Sequence, residues 1–153
     1  MTGERGGDGN QTFLLDVMLG KLATYLRMCG YDAAYALDRG VEADDRIREL
    51  ALAEDRTLLT RDEQLAERTP GALLLTEREV DDQLRELAAA GVSLSLAEPP
   101  ARCGNCNGPL EPVEGAGPEH APDGVDCYRC RDCGQSFWQG SHWESVNETL
   151  ASL

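Results

Sequence analysis

Five of the six cysteines lie between positions 103 and 133, and four of them form two Cys-x-x-Cys pairs. The first pair is Cys103 with Cys106, and the second is Cys130 with Cys133. Two such pairs can supply four thiolates to one tetrahedral zinc ion. Because sulfur would then fill every position around the ion, the pattern predicts a structural zinc site that contributes to folding.

The second pair has a rival, because Cys127 stands three residues before Cys130. We prefer Cys130 with Cys133 because Gly134 follows it, and glycine permits the positive-φ backbone of a tight metal-binding turn. Gly104 is expected to serve the first turn in the same way. Cys127 is then an ordinary, half-buried thiol.

Two further residues have metal-ligand or nucleophile chemistry. His120 lies in a loop rich in proline and glycine with no partner at ligand spacing, so it is not expected to bind metal. Cys29 falls on the first predicted helix. It is expected to be a core residue, with a reactive thiol as the alternative.

Three aspartates follow or precede predicted elements in a way that suits a second metal. Asp16 closes the first predicted strand, Asp62 follows a strand at residues 57–60, and Asp44 opens a helix. Ligands of an open parallel sheet bind beyond the carboxyl ends of its strands. Carboxylates that converge there bind Mg²⁺ or Mn²⁺, which can activate water for attack on a phosphodiester.

The same aspartates have simpler interpretations. Asp44 is a good helix N-cap, and Asp62 can begin the helix that follows it. With 28 acidic residues in the chain, some also fall at strand ends by chance. The pattern alone leaves a catalytic metal site and a capping role open.

The first predicted helix is basic in an otherwise acidic chain. Residues 17–31 contain no acid, and Lys21 and Arg27 give this stretch a charge of +2. Lys21, Thr24 and Arg27 are spaced three apart, which places them roughly on one helix face. This face can receive a phosphate backbone, or it can be a salt-bridged surface helix.

The segment Ser141-His142-Trp143-Glu144 precedes the last predicted helix. Ser141 and Glu144 fit a capping box. His142 is either an RNA contact, with a possible part in proton transfer, or a structural histidine beside Trp143.

The elements that must position these residues alternate between strand and helix patterns up to residue 98. This alternation predicts an α/β fold with a mostly parallel sheet flanked by helices. The predicted strands are residues 13–15, 32–37, 57–60, 73–75 and 92–96. The intervening helices contain residues 19–26, 43–51 and 80–88, and a last helix spans residues 141–150.

Charge is the unusual feature of the composition, since 14 basic and 28 acidic residues give a net charge of −14. This surface is typical of salt adaptation and equally of a GC-rich genome. It argues against unassisted nucleic-acid binding, although high salt and bridging divalent cations weaken that objection. No stretch is apolar enough to span a membrane, and no signal peptide is recognised, so a cytoplasmic location is expected.

Three separated strings resemble one known family. The first is Asp16-Val-Met-Leu-Gly-Lys-Leu-Ala with the later Leu26-Arg27 and Gly30-Tyr31-Asp32, and the second is Leu59-Thr60-Arg61-Asp62. The third joins the two cysteine pairs to Phe137-Trp138-x-Gly140-Ser141-His142. Together they are similar to the Mut-seven C-terminal RNase domains, which are regarded as PIN-fold nucleases with a zinc ribbon. Phe137 stands where that family often has tyrosine.

The resemblance implies a PIN-like nuclease domain over residues 12–98, a zinc ribbon over 101–140 and a C-terminal helix over 141–153 that packs on the nuclease domain. Residues 1–11 are expected to be a disordered tail. The resemblance further implies metal-binding acids at Asp16, Asp44 and Asp62. RNA would lie near Lys21, Arg27 and Arg61. Asp38 and Asp45 are close rivals of Asp44, and a fourth acid is not placed.

Two functions follow as hypotheses. The first is an endoribonuclease that uses Mg²⁺ or Mn²⁺ at the three aspartates, with a structural zinc ion. The second is a non-catalytic zinc-ribbon module that binds RNA, a ribosome or another protein. A phosphoacceptor receiver domain is not supported, because it needs a lysine late in the chain and the only lysine is Lys21.

Overall fold

The structure is a computed structural model that describes residues 11–114 and 124–153. His120 and most of the N-terminal segment that was expected to be a disordered tail lie outside these residues. The first part of the chain forms a four-stranded parallel sheet in the order β2-β1-β3-β4. Its strands are β1 (Thr12–Leu15), β2 (Asp32–Tyr35), β3 (Thr57–Thr60) and β4 (Leu73–Leu74).

Helices cover both faces of this sheet, as the alternating pattern predicted. They are α1 (Gly20–Met28), α2 (Asp44–Ala53), α3 (Glu63–Arg68) and α4 (Val80–Ala89). Apolar residues of α1 and α4 pack with Phe13 and Leu15 on one face, and those of α2 and α3 pack with Leu14 and Leu58 on the other. The predicted α/β class is therefore confirmed.

The second part of the chain is a small antiparallel sheet followed by a helix. Strand β6 (Cys127–Cys130) lies between β5 (Leu110–Val113) and β7 (Ser136–Trp138). Helix α5 (Ser141–Ala151) returns to the parallel sheet, where Val146 and Leu150 join the core on the α1 side. A three-stranded antiparallel sheet with four clustered cysteines is the arrangement expected of a zinc ribbon.

The structure corrects three local predictions. Residues 92–96 form no strand; Val92 is buried, and Leu94 and Leu96 pack against the core as an unpaired extended segment. The strand predicted at residues 32–37 ends at Tyr35, where a short 3₁₀ helix (Ala36–Arg39) begins. Ser141 caps nothing, because α5 begins at Ser141 with Gly140 as its N-cap.

No helix within the described residues is long and apolar enough to cross a membrane.

Candidate functional site

The sheet topology places the ends of β1 and β3 side by side. The chain leaves β1 toward β2 on one side and returns to form β3 on the other, so the two strands flank the point where the connections diverge. Crevices at such points are the usual ligand sites of open parallel sheets. Asp16 follows β1 there, and its N–H donates to the carbonyl of Leu59 at 3.1 Å.

Thr60 links two of the predicted acids. Its hydroxyl donates to Asp16 Oδ2 at 2.6 Å and accepts from the Asp62 N–H at 3.0 Å. Asp16 Oδ1 accepts a second hydrogen bond from the Val17 N–H at 2.7 Å. Asp16 is only 4% exposed, so its carboxylate is held in one orientation at the strand edge.

Asp62 combines the capping role with a place in this cluster. Its Oδ1 accepts from the N–H groups of Gln64 and Leu65, at 2.9 and 3.1 Å, as the N-cap of α3. Oδ2 accepts no hydrogen bond from the described residues and can serve as a ligand. Capping and metal binding are therefore compatible at this position.

Asp44 lies in the first turn of α2 and is exposed, while Ala43 is the N-cap. The simpler interpretation of Asp44 as a capping residue is therefore wrong. Desolvation, followed by the negative charges of Asp62 and Asp16, raises the pKa of the Asp44 carboxyl above its usual value. Like charges raise the pKa of a carboxyl in this way because they disfavour its ionised form.

The two rivals of Asp44 have arginine partners. Asp45 pairs with Arg68, and Asp38 lies 3.8 Å from Arg27 Nη2. Asp44 makes no ion pair within the part of the chain that the structure describes. Its charge is thus the least compensated of the three, which favours Asp44 as the carboxylate available to a cation.

Asp16, Asp44 and Asp62 suit a divalent ion that keeps part of its water shell better than an ion surrounded entirely by protein ligands. Within residues 11–114 and 124–153, only the four cysteines have ligand atoms that all lie within 4.8 Å of one another. Asp16, Asp44 and Asp62 do not form such a group. Mg²⁺ commonly keeps several waters and binds one or two carboxylates together with substrate phosphates, so a looser group satisfies it.

The pKa of Asp44 gives a direct test of this grouping. We expect Asp62→Asn to lower the pKa of Asp44 in metal-free protein, because it removes a neighbouring negative charge while asparagine still caps α3. Carbon-13 NMR titration of the Asp44 carboxyl measures the change. Asp81→Asn, an exposed acid on α4, is the matched control. An Asp44 pKa unaltered by Asp62→Asn would show that the carboxylates do not share a site.

The raised pKa also sets the sign of a stability effect. An aspartate whose pKa is higher in the folded state binds protons more readily there, so its contribution destabilises the metal-free fold above that pKa. The penalty disappears as the pH falls through the folded-state pKa.

Tyr35 supports the loop between Asp16 and α1. Its hydroxyl donates to the Val17 carbonyl, and its ring lies where a Cβ on Gly20 would come within 3.1 Å. Burial and the charges of Asp38 and Asp16 raise the pKa of Tyr35, so it remains a donor. A side chain at position 20 would displace the ring, and this explains the glycine at the start of α1.

The predicted basic face of α1 is divided. Lys21 is exposed, whereas Arg27 is 3% exposed and its Nε donates to the Ala33 carbonyl at 2.9 Å. Arg27 Nη1 and the Thr24 hydroxyl both donate to the Gly104 carbonyl, at 3.1 and 3.3 Å. The structure thus places Arg27 between the sheet and the ribbon, where it does not present its charge to a ligand.

The other predicted RNA contacts are more accessible. Arg61 lies between Thr60 and Asp62, and its Nε is shielded from solvent without a hydrogen-bond partner in the described residues. Burial acts to raise the pKa of the Glu86 carboxyl. Hydrogen bonds from Thr76 and Glu77 and the positive charge of Arg61 outweigh this effect, so the pKa is lower than usual. His142 is exposed at the start of α5.

The four cysteines have the geometry of a zinc site. The Sγ atoms of Cys103 and Cys133 are 3.7 Å apart, and those of Cys106 and Cys130 are 3.5 Å apart. A tetrahedron with Zn–S bonds of about 2.3 Å has S–S edges of about 3.8 Å. The N–H groups of Asp132 and Cys133 also point at Cys130 Sγ, at 3.3 and 3.4 Å. The set therefore fits zinc.

The remaining cysteines take no part in this set. Cys127 is buried on β6, and its Sγ faces the Val125 carbonyl at 3.7 Å. Cys29 packs against the core, and burial raises the pKa of its thiol to about 12. A thiol with so high a pKa carries almost no thiolate at neutral pH, which supports the core interpretation of Cys29 over the reactive one.

The first metal-binding turn differs from the prediction. Gly134 has φ +79°, as expected, but in the first turn Asn107 holds the equivalent place with φ +73°. Gly104 is required for another reason, because a Cβ there would meet Thr24 Cγ2 at 3.2 Å. Its lack of a side chain allows the ribbon backbone to approach α1.

Asn107 also fastens the ribbon to the edge of the parallel sheet. Its Oδ1 accepts from the Ala33 N–H at 2.9 Å, and its Nδ2 donates to Asp32 Oδ1 at 2.7 Å. Arg102 adds a bond to the Asn107 carbonyl at 3.0 Å and an ion pair with Asp32 at 3.7 Å. Sequence reasoning missed Asn107, Thr60 and Tyr35, since nothing in their local spacing shows which distant groups they meet.

In comparison with known proteins, the chain matches the family model of the Mut7-C RNAse domain over residues 11–150. No curated protein and no solved structure matches the chain. The matched range contains the three aspartates and all four zinc-site cysteines, and it covers nearly the whole chain. The chain belongs to the Mut7-C RNase domain family, and this membership indicates a role of nuclease type.

Proposed function

We propose that this protein is an endoribonuclease that depends on Mg²⁺ or Mn²⁺ and hydrolyses RNA phosphodiester bonds at Asp16, Asp44 and Asp62. The observation that carries the proposal is the Thr60 hydroxyl, which joins Asp16 to Asp62 at the edge where β1 and β3 end. Asp44 lies within the electrostatic field of both. Uncompensated negative charge at a sheet crevice is what a hard cation requires.

Each residue has a distinct part in this proposal. A bound divalent ion supplies charge neutralisation and a more acidic water. Asp16 offers a fixed carboxylate, whereas Asp44 on α2 is exposed and can move toward the ion. Asp62 offers its free Oδ2.

Basic residues around the acids would hold the RNA. Arg61 lies beside Asp62, its Nε has no hydrogen-bond partner among the described residues, and its guanidinium can pair with a phosphate. Lys21 at the start of α1 and His142 at the start of α5 are exposed and can contact the strand. Arg27 is left out of this set because of its burial, and we assign it to the contact with the ribbon.

The experiment is RNA cleavage in buffer freed of Mg²⁺ and Mn²⁺ by a chelating resin, with zinc retained and measured at one ion per chain. We expect cleavage only after Mn²⁺ or Mg²⁺ is added, and we expect added Mn²⁺ to raise the Tm because it binds the folded state. Equal cleavage without added metal would contradict the proposal.

The alternative is a non-catalytic ribbon module that binds RNA, a ribosome or a protein. It predicts binding that survives changes at Asp16 and Asp62 and is lost with Cys103→Ser, with no cleavage under any metal condition. The cytoplasmic location and the salt-adapted surface stay predictions.

A further inference from the structure

A cavity of about 280 Å³ lies where α1, the ribbon and α5 meet. Its walls include Phe137 and Trp138 from β7 and Trp143 from α5. These are both tryptophans and one of the two phenylalanines of a chain that has only 5% aromatic residues. These three rings lie together at one opening, and none of them belongs to either main core.

The rings around this cavity are free to accept a ligand. All three side chains are half-buried, and none belongs to an aromatic pair, since the pair present in the described residues is Phe13 with Tyr31. Neither indole N–H donates a hydrogen bond within the described parts of the chain. Planar apolar surface and unused donors thus line the same space.

The charge of the lining is opposite in sign to that of the chain. Although the chain contains 28 acids, none of the described residues that line the cavity is acidic, and the charged side chain among them is Arg102. Arg102 is held by the Asn107 carbonyl and Asp32, so its guanidinium is fixed in place. His142 and the amide of Asn105 add hydrogen-bonding groups at the wall.

We propose that this cavity binds one unpaired nucleobase of single-stranded RNA. Aromatic faces stack on bases of any sequence, and a nearby arginine attracts the phosphate backbone and can itself stack. Drug-sized ligands occupy pockets of about 300–1,000 Å³. A cavity of about 280 Å³ therefore suits a smaller ligand, such as one base. This inference rests on the proposed function, because it names the form of RNA that reaches the acids.

Helix α1 begins close to the acid cluster and lines the cavity with its second half. Thr24 and Met28 line it from α1, and Lys21 lies one turn before Thr24 on the same side of the helix. Asp16 lies just before α1. With a rise of about 1.5 Å per residue, Gly20 and Thr24 are about 6 Å apart along the helix axis. A short run of nucleotides can therefore join a base in the cavity to a phosphate at the acids.

Tryptophan fluorescence tests this inference directly, since both tryptophans line the cavity. The titration uses the zinc-bound protein without Mg²⁺ or Mn²⁺ at low salt, so that no strand is cleaved. We expect a single-stranded oligoribonucleotide to quench the fluorescence. We expect an abasic strand of equal length, or a blunt RNA duplex, to do so far less.

Substitutions give the second readout. We expect Trp143→Ala to weaken binding of the single strand about 5- to 150-fold, as loss of one base stack does. Leu52→Ala, an exposed leucine on α2, is expected to have no effect. Trp143 is half-buried, so its removal can impair folding. In that case the fluorescence quenching of the unaltered protein still tests the inference.

The outcomes separate this inference from the proposed nuclease. Binding without quenching, or equal affinity for the abasic strand, would overturn the base site and leave the nuclease untouched. No response to any oligonucleotide would also overturn it. Quenching as expected, with no metal-dependent cleavage, would support the base site and reject the nuclease.

Discussion

Asp16→Asn is expected to reduce metal-dependent RNA cleavage roughly a thousandfold or more. A bound metal ion contributes several kcal/mol to the transition state, and each 1.36 kcal/mol is about a tenfold change in rate. Asparagine keeps the size of the side chain and the oxygen that accepts from Val17 N–H, but it replaces the anionic Oδ2 with an amide. The charge is lost while the shape is retained.

Single-turnover cleavage with saturating Mn²⁺ measures this effect, and thermal unfolding checks the fold. Asp126→Asn, an exposed acid on the ribbon, is the matched control and is expected to cleave at the parental rate. Parental activity in Asp16→Asn would remove Asp16 from the metal site.

Thr60 extends the same experiment to a positioning residue. Thr60→Val keeps the shape of the side chain but leaves Asp16 Oδ2 and the Asp62 N–H without their shared partner. Loss of such an orienting group typically costs about 10- to 100-fold in activity or metal affinity. Thr60→Ser restores the hydroxyl and is expected to recover most of the activity, which a purely structural defect in packing would not allow.

Sequence periodicity and the expectation of parallel strands were sufficient to predict that Asp16 and Asp62 lie at the same edge of the sheet. A buried run closed by Asp16 and a second run followed by Asp62 must end at the same edge if their strands are parallel, and they do. The cysteine pairs were equally predictable, because two Cys-x-x-Cys turns leave few ways to bind one ion. Both features depend on local spacing and chain direction.

The role of Arg27 was not predictable in the same way. Residues i and i+6 on a helix are about 120° apart around its axis, so Lys21 can face solvent while Arg27 faces inward. What buries Arg27 is the Gly104 carbonyl, 77 residues later in the chain. A spacing rule within α1 contains no information about that contact.

The absence of the strand predicted at residues 92–96 has a similar cause. Residues 92–96 alternate as a half-buried strand does, and the alternation correctly predicts which side chains face the core. A strand also needs a hydrogen-bonding neighbour, and this segment meets other groups instead. The Ser93 carbonyl accepts from the Tyr31 hydroxyl at 2.8 Å, and the Ala97 N–H donates to the Met28 carbonyl at 3.0 Å. Residues 92–96 therefore have the burial pattern of a strand without the hydrogen bonding of one.

Zinc removal has the second large expected effect, because the ribbon has almost no apolar core. Neither of the two core clusters contains a described residue from 101–140, and the buried residues among those described there are Cys103, Gly108, Cys127 and Cys130. Structural zinc binds zinc-finger peptides with roughly 10–16 kcal/mol, which is comparable to the whole stability of a small domain. A zinc ion bound by the four cysteines would therefore be the main source of folding free energy for β5, β6 and β7.

Cys130→Ser is accordingly expected to unfold the ribbon while the parallel sheet survives on its two cores. Helix α1 would lose its hydrogen bonds to Gly104, and β2 would lose its hydrogen bonds with Asn107. At about 1 kcal/mol each, this loss corresponds to a fall in Tm on the order of 10 °C. Zinc content, limited proteolysis of the ribbon and the fluorescence of Trp138 and Trp143 measure the change. Cys127→Ser is the matched control and is expected to keep one zinc ion per chain, since its Sγ faces the Val125 carbonyl. If Cys127→Ser lost the metal and Cys130→Ser retained it, the ligand set would be wrong.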